Sequence, residues 1–91
     1  MNKQRRKTAN EIRNRIDEAK NEIEQIMTDL SDLRDEEQEG FDNMSEGLQN
    51  SETGQCIEAA ANHLDEAYGA LDELDEIIQT ALDQIDEAVG A

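Results

Sequence analysis

The 91-residue sequence predicts an all-α fold, an antiparallel hairpin of two long helices that self-associates into a four-helix bundle. Three observations predict it. Apolar residues recur at alternating steps of three and four in two long stretches, and a glycine-rich segment separates the stretches. The composition, 35% hydrophobic but only 2% aromatic with no Trp and no Pro, suits long helices rather than an α/β core or a base-stacking platform. At this length the chain is a single domain, residues 1–91, near the size at which one core supplies only marginal stability.

The first helix is expected over about residues 8–38. Its apolar positions, Ala9, Ile12, Ile16, Ala19, Ile23, Ile26, Leu30 and Leu33, follow a sustained a/d heptad pattern, which is a seam for another helix. The flanking positions are mostly polar, among them Arg13, Arg15, Lys20, Glu22, Asp29 and Arg34. So narrow a seam fits one principal neighbour.

The pattern fails at Glu37 and Gly40, and the junction is placed at about residues 39–52. Gly40, Gly47 and Gly54 cluster there with Asn43, Ser45, Asn50 and Ser51, a composition that marks a turn between helices. Phe41, Met44 and Leu48 are expected to fold back as an apolar cap on the hairpin end. Ser51 or Thr53 suits the N-cap of the next helix, and Glu52 suits the positive end of its dipole.

The second helix is expected over about residues 53–89, with a stripe of Ile57, Ala60, Leu64, Ala67, Leu71, Leu74, Ile78, Ala81, Ile85 and Ala88. Here the flanks are apolar too, Ala61, Tyr68, Leu82 and Val89 on one side and Cys56, Ala70 and Ile77 on the other. A face this wide meets more than one helix. The expected interface between copies is therefore Leu64, Tyr68, Leu71, Ile77, Ile78, Leu82 and Ile85, with the second helix near the centre of the bundle.

Charge agrees with antiparallel pairing. Residues 1–20 hold seven basic and three acidic side chains, a net of +4, within a chain whose formal net charge is −16. Folding back sets that basic start beside Asp72, Glu73, Asp75, Asp83, Asp86 and Glu87, whereas parallel pairing would bring the acidic halves together. Each exposed pair contributes only about 0–1 kcal/mol, so charge selects orientation more than it stabilises. A surface this acidic repels nucleic-acid phosphates and anionic lipid, which argues against direct nucleic-acid or membrane binding, and attracts basic protein surfaces. The lone Cys56 cannot form an intrachain disulfide, and no apolar run reaches the length of a membrane span or a secretion signal. A soluble, cytoplasmic protein is expected.

The doublets Asp65-Glu66, Asp72-Glu73 and Asp86-Glu87 repeat at multiples of seven, with Asp75-Glu76 close by. They form a stripe facing away from the apolar seam. One reading is a phosphate-like array that occupies the basic groove of a nucleic-acid-binding protein; the other is an ordinary solvated helix face. Residues 35–91 contain no Lys or Arg at all, whereas a face serving only solubility mixes both signs.

No catalytic, cofactor or metal site is expected. His63 and Glu66 stand at i, i+3 with the His first, the reverse of the Glu-x-x-His order of dinuclear carboxylate bundles. Asp42-Asn43 and Ser45-Glu46 lack the ligand spacing of a calcium loop. Cys56 and His63 are two turns apart on one helix, about 10 Å of rise, too far for direct activation of the thiol. The three junction glycines lack the Lys of a phosphate-binding loop.

The junction DEEQEGFDNMSEGLQNSETGQ, Asp35 to Gln55, together with the start MNKQRRK and the acidic helical end, resembles a group of small acidic helical proteins of bacteriophages and prophages, for most of which no activity is established. In that group Pro commonly stands at the position of Ser45 and Ser at that of Gly47, so a looser turn is expected here. The resemblance implies a phage setting and a bacterial host cell. In that setting small acidic proteins often inhibit host enzymes or defence systems, DNA mimics among them. The leading expectation is an inhibitor that binds a basic host protein through Asp65, Glu66, Asp72, Glu73, Asp75, Glu76, Asp86 and Glu87. The alternative is a non-catalytic oligomeric scaffold or assembly factor acting through the apolar face of the second helix. A third possibility makes the junction itself the recognition element.

Overall fold

The computed structural model describes all 91 residues. Helix α1 spans Lys3–Asp42, a single-turn helix α2 spans Glu46–Gln49, and helix α3 spans Glu52–Gly90. Helices α1 and α3 pack along their length in opposite directions, so the all-α antiparallel hairpin holds. The result is a rod of 68 × 15 × 14 Å.

Each helix begins where a side chain can satisfy the open N–H groups of its first turn. Asn2 Oδ1 accepts from the Arg5 amide at 2.8 Å. Ser45 accepts from Leu48, and Ser51, one of the two expected caps, accepts from Gly54 at 3.2 Å. Helix α1 does not stop near residue 38. It runs through Gly40 to Asp42, because a lone exposed glycine weakens a helix by only about 1 kcal/mol and Phe41 continues the buried face.

The junction is tighter than its composition suggests. No residue adopts a positive φ, and the two caps that end α1 and α2, Asn43 and Asn50, stay in the right-handed region. Gln49 Nε2 donates to the Phe41 carbonyl at 3.0 Å, and the Ser51 hydroxyl donates to the Leu48 carbonyl. Gly54 is needed for proximity: a Cβ there would lie 2.2 Å from the Leu48 carbonyl oxygen and 2.6 Å from that of Gln49. Phe41 and Met44 are half-buried as a cap, but Leu48 does not join them and is 56% exposed.

The seam between the long helices differs from the expected one in half of its positions. On α1 the half-buried or buried residues are Ala9, Arg13, Ile16, Lys20, Ile23, Met27, Leu30, Arg34, Glu37 and Phe41, with Asp17 and Ser31 at its edge. On α3 they are Ile57, Ala61, Leu64, Tyr68, Leu71, Asp75, Ile78, Leu82, Ile85 and Val89, with Ala60 at its edge. The stripes of period seven beginning at Ala9 and Ile57 face inward as expected. Their companions lie four residues on rather than three. Ile12, Ile26, Leu33 and Leu74 are therefore 40–46% exposed.

Side-chain size and charge explain the choice. On α3 the step of four brings in Tyr68, Leu82 and Val89, whereas the step of three offers mainly alanine. On α1 it brings in Arg13, Lys20 and Arg34, whose long stems cover apolar surface while their charged ends reach carboxylates of α3. Two helices side by side still enclose little. Only Met27, Gly54, Ala61 and Leu82 are buried.

Candidate interaction surfaces

Three ion pairs lace the helices together. Arg13 Nε meets Asp86 at 2.7 Å, Lys20 Nζ meets Asp75 at 3.3 Å, and Arg34 Nη1 meets Asp65 at 2.6 Å. From Arg13 to Arg34 the chain advances three heptads on α1, and from Asp86 to Asp65 it retreats three heptads on α3, so the register is fixed at both ends. All three cations are held above their ordinary pKa: Arg13 by its hydrogen bond to Asp86, Arg34 by its bonds to Asp65 and then Asp35. For Lys20 the main cause is its hydrogen bond to Glu24, with partial desolvation opposing and Asp75 adding to the rise.

These pairs redistribute the expected acidic stripe. Asp65 and Asp86 are exposed but engaged by α1, and Asp75 does not face solvent. It sits half-buried in the seam, and its Oδ1 is buried with no hydrogen-bond partner. The pattern of acidic doublets could not separate Asp75 from Glu76, because neighbouring residues on a helix differ by about 100° in direction. Glu66, Asp72, Glu73, Glu76 and Glu87 are exposed. Of these only Glu66 has a basic neighbour, His63 at 3.6 Å, with both side chains nearly fully exposed. The outer side of α3 thus presents carboxylates with no Lys or Arg beside them.

A second surface is apolar. In an antiparallel pair the positions three residues beyond the inward stripe fall on the same side for both helices, since one helix is traversed upward and the other downward. A single shallow groove lined by Leu33 and Glu37 of α1 and Ala60, His63 and Leu64 of α3 establishes this directly. The opposite side holds Arg34, Asp35 and Gln38 against Ala61, Asn62 and Asp65. Ile12, Ala19, Ile26 and Leu33 therefore share one face with Ala60, Ala67, Leu74, Ala81 and Ala88, and Ile77, 65% exposed, borders it.

Of the expected interface residues, Ile77 lies open on this side, while Leu64, Leu71, Ile78 and Ile85 are half-buried at the boundary between face and seam. Tyr68 and Leu82 point into the hairpin, and Leu82 is only 1% exposed, so the hairpin itself uses it. The open surface also includes α1, whose apolar stripe is shared between α3 and solvent rather than spent on one neighbour.

Five cations, Lys3, Arg5, Arg6, Lys7 and Arg15, have no ion-pair partner. Lys3, Arg6 and Lys7 line a groove with Gln4, Asn10, Glu11 and Asn14 at the open end of the hairpin. Cys56 is an exposed free thiol. No three His, Cys, Asp or Glu side chains converge as metal ligands would, and no helix is long and apolar enough to cross a membrane. The chain matches no family model, no curated protein and no solved structure.

Proposed function

We propose that this chain is a phage-encoded, non-catalytic binding protein that inhibits a basic host protein by presenting the outer carboxylates of α3 to it. The observation that carries this reading is the uncompensated charge of that side, Glu66, Asp72, Glu73, Glu76 and Glu87 on a helix without a single Lys or Arg. Self-repulsion among them opposes folding, so their retention favours a use. Between Glu58 and Glu87, α3 carries ten carboxylates, of which Asp65, Asp75 and Asp86 are neutralised by α1. The remainder give one charge per roughly 6 Å of axis, about half the linear density of a DNA strand. A groove built for phosphates would attract such an array. The target class is therefore a nucleic-acid-binding or defence protein of the host cell.

Capture from bacterial lysate on the immobilised protein, at low and high salt, tests the reading. Salt-labile retention of a nucleic-acid-binding protein is expected, and it should vanish when Asp72, Glu73, Glu76 and Glu87 are all changed to Lys. Retention that survives this reversal would exclude the carboxylates as the contact.

The exposed apolar face favours a second reading, an oligomeric scaffold or assembly factor. Leu74→Asp and Ile77→Asp would then abolish function while leaving the salt dependence of any acidic contact unchanged.

A further inference from the structure

We infer that the apolar face is covered by a second copy of this chain, related by a two-fold axis perpendicular to the rod, so that α1 lies antiparallel on its partner's α1 and α3 antiparallel on its partner's α3. The inference deepens the apolar-face reading and is independent of what the carboxylates bind.

The need for an occupant follows from burial. The hairpin encloses only four residues, while Ile12, Ile26, Leu33, Leu74 and Ile77 stand on one side at helical spacing. A single hairpin cannot cover that side, because both of its helices contribute to it. Two hairpins joined by these faces give the four-helix bundle in which every stripe has a partner.

The flanks of the face choose the partner and its direction. Beyond the apolar stripe of α3 the flank is Cys56, His63, Ala70, Ile77 and Gln84, all exposed and none carrying a permanent charge. Beyond the stripe of α1 the flank is Thr8, Arg15, Glu22, Asp29 and Glu36, with its cation toward the open end and its carboxylates toward the tip. If the rods ran parallel, α1 would face the partner's α3, and Glu22 and Asp29 would be pressed against Ala70 and Ile77. With the rods antiparallel, uncharged flank meets uncharged flank along α3. Along α1, Arg15 of each copy comes level with Glu36 of the other and Glu22 level with Asp29, so the like-charged contacts lie along one edge of the bundle and not over its apolar flank.

The whole-chain charge agrees. The unpaired cations Lys3, Arg5, Arg6 and Lys7 of one copy come toward the acidic junction end of the other, instead of two acidic junctions meeting. The two-fold axis then passes near the level of Ile26 and Leu74, two of the large exposed residues of the face. The outer carboxylates of both α3 helices stay clear of the contact.

The native thiol provides the test. Sedimentation equilibrium of the wild-type chain is expected to give two chains per particle, and pulsed dipolar spectroscopy with nitroxide labels on Cys56 is expected to give a separation on the order of 55 Å. A particle of one chain would overturn the covered face itself, leaving it to a different partner or to solvent. A dimer with labels under about 20 Å apart, the spacing of diagonal helices in a parallel bundle, would keep the face but overturn the orientation.

Discussion

At the scale of single residues, Gly54 and Asp75 do work that their types alone do not announce. Gly54 stands where the start of α3 passes the carbonyls of Leu48 and Gln49 at distances no Cβ tolerates. Gly54→Ala is expected to lower stability by about 1–3 kcal/mol through forced displacement of backbone. Gly69 has open space around its Cβ position, so Gly69→Ala should instead stabilise by roughly 0.5–1 kcal/mol. Thermal melts of the two variants, moving in opposite directions from wild type, check the pair. Asp75 interrupts an otherwise apolar line of α3, with one oxygen on Lys20 and the other buried without a partner. Asp75→Leu should raise stability by about 1–2 kcal/mol, since Lys20 retains Glu24 and the unsatisfied oxygen is gone. A higher urea midpoint at unchanged m value is the expected reading. Because the folded state holds the Lys20 pKa above its ordinary value, its contribution is complete below that ordinary value and is lost as pH rises through the folded one. Lys20→Met should therefore flatten the decline of stability in the strongly alkaline range, as measured by denaturation at a series of pH values.

At the scale of the helices, the heptad spacing made the long elements and half of the seam legible, and the uneven charge with the glycine-rich break made their antiparallel order legible. The other half was hidden for a physical reason. A hydrophobic count prefers Ile12, Ile26 and Leu33 for the inside of α1, whereas packing chose Arg13, Lys20 and Arg34, whose stems bury and whose ends find Asp86, Asp75 and Asp65. Glycine and polar composition located the junction but not its order, which depends on the caps Asn43, Ser45, Asn50 and Ser51. For the candidate surfaces, the acidic doublets marked the helix that carries the open carboxylates, yet only geometry separates these from the ones that α1 already holds. The ends of α1 also run against its own dipole, with no acidic residue in the first turn and no basic one in the last. Replacing Lys3 and Arg5 by Glu should stabilise the first turn by about 0.3–1 kcal/mol per site, seen as slower amide exchange there. In the dimer inferred above, the same variant should weaken association.

For the molecule as a whole, charge and concentration are the governing variables. With a net charge of −16 on a rod only about 15 Å across, self-repulsion outweighs the three cross-helix pairs, so moderate salt should raise the melting temperature rather than lower it. A melt series at increasing sodium chloride checks the sign, and a fall would show that the ion pairs dominate. The midpoint should also rise with protein concentration, because dissociation accompanies unfolding of a dimer.

All of the Lys and Arg residues lie at or before Arg34, although their acidic partners are spread along α3. A protease that cuts after basic residues therefore has no cleavage site within residues 35–91, folded or unfolded. Trypsin can trim α1 but must leave α2 and α3 in one piece, and amine-directed labels will react only at the three lysines of α1 and the amine of Met1 before it. Limited digestion would thus isolate the acidic helix with its junction still attached, while removing every lysine and arginine that lay beside it.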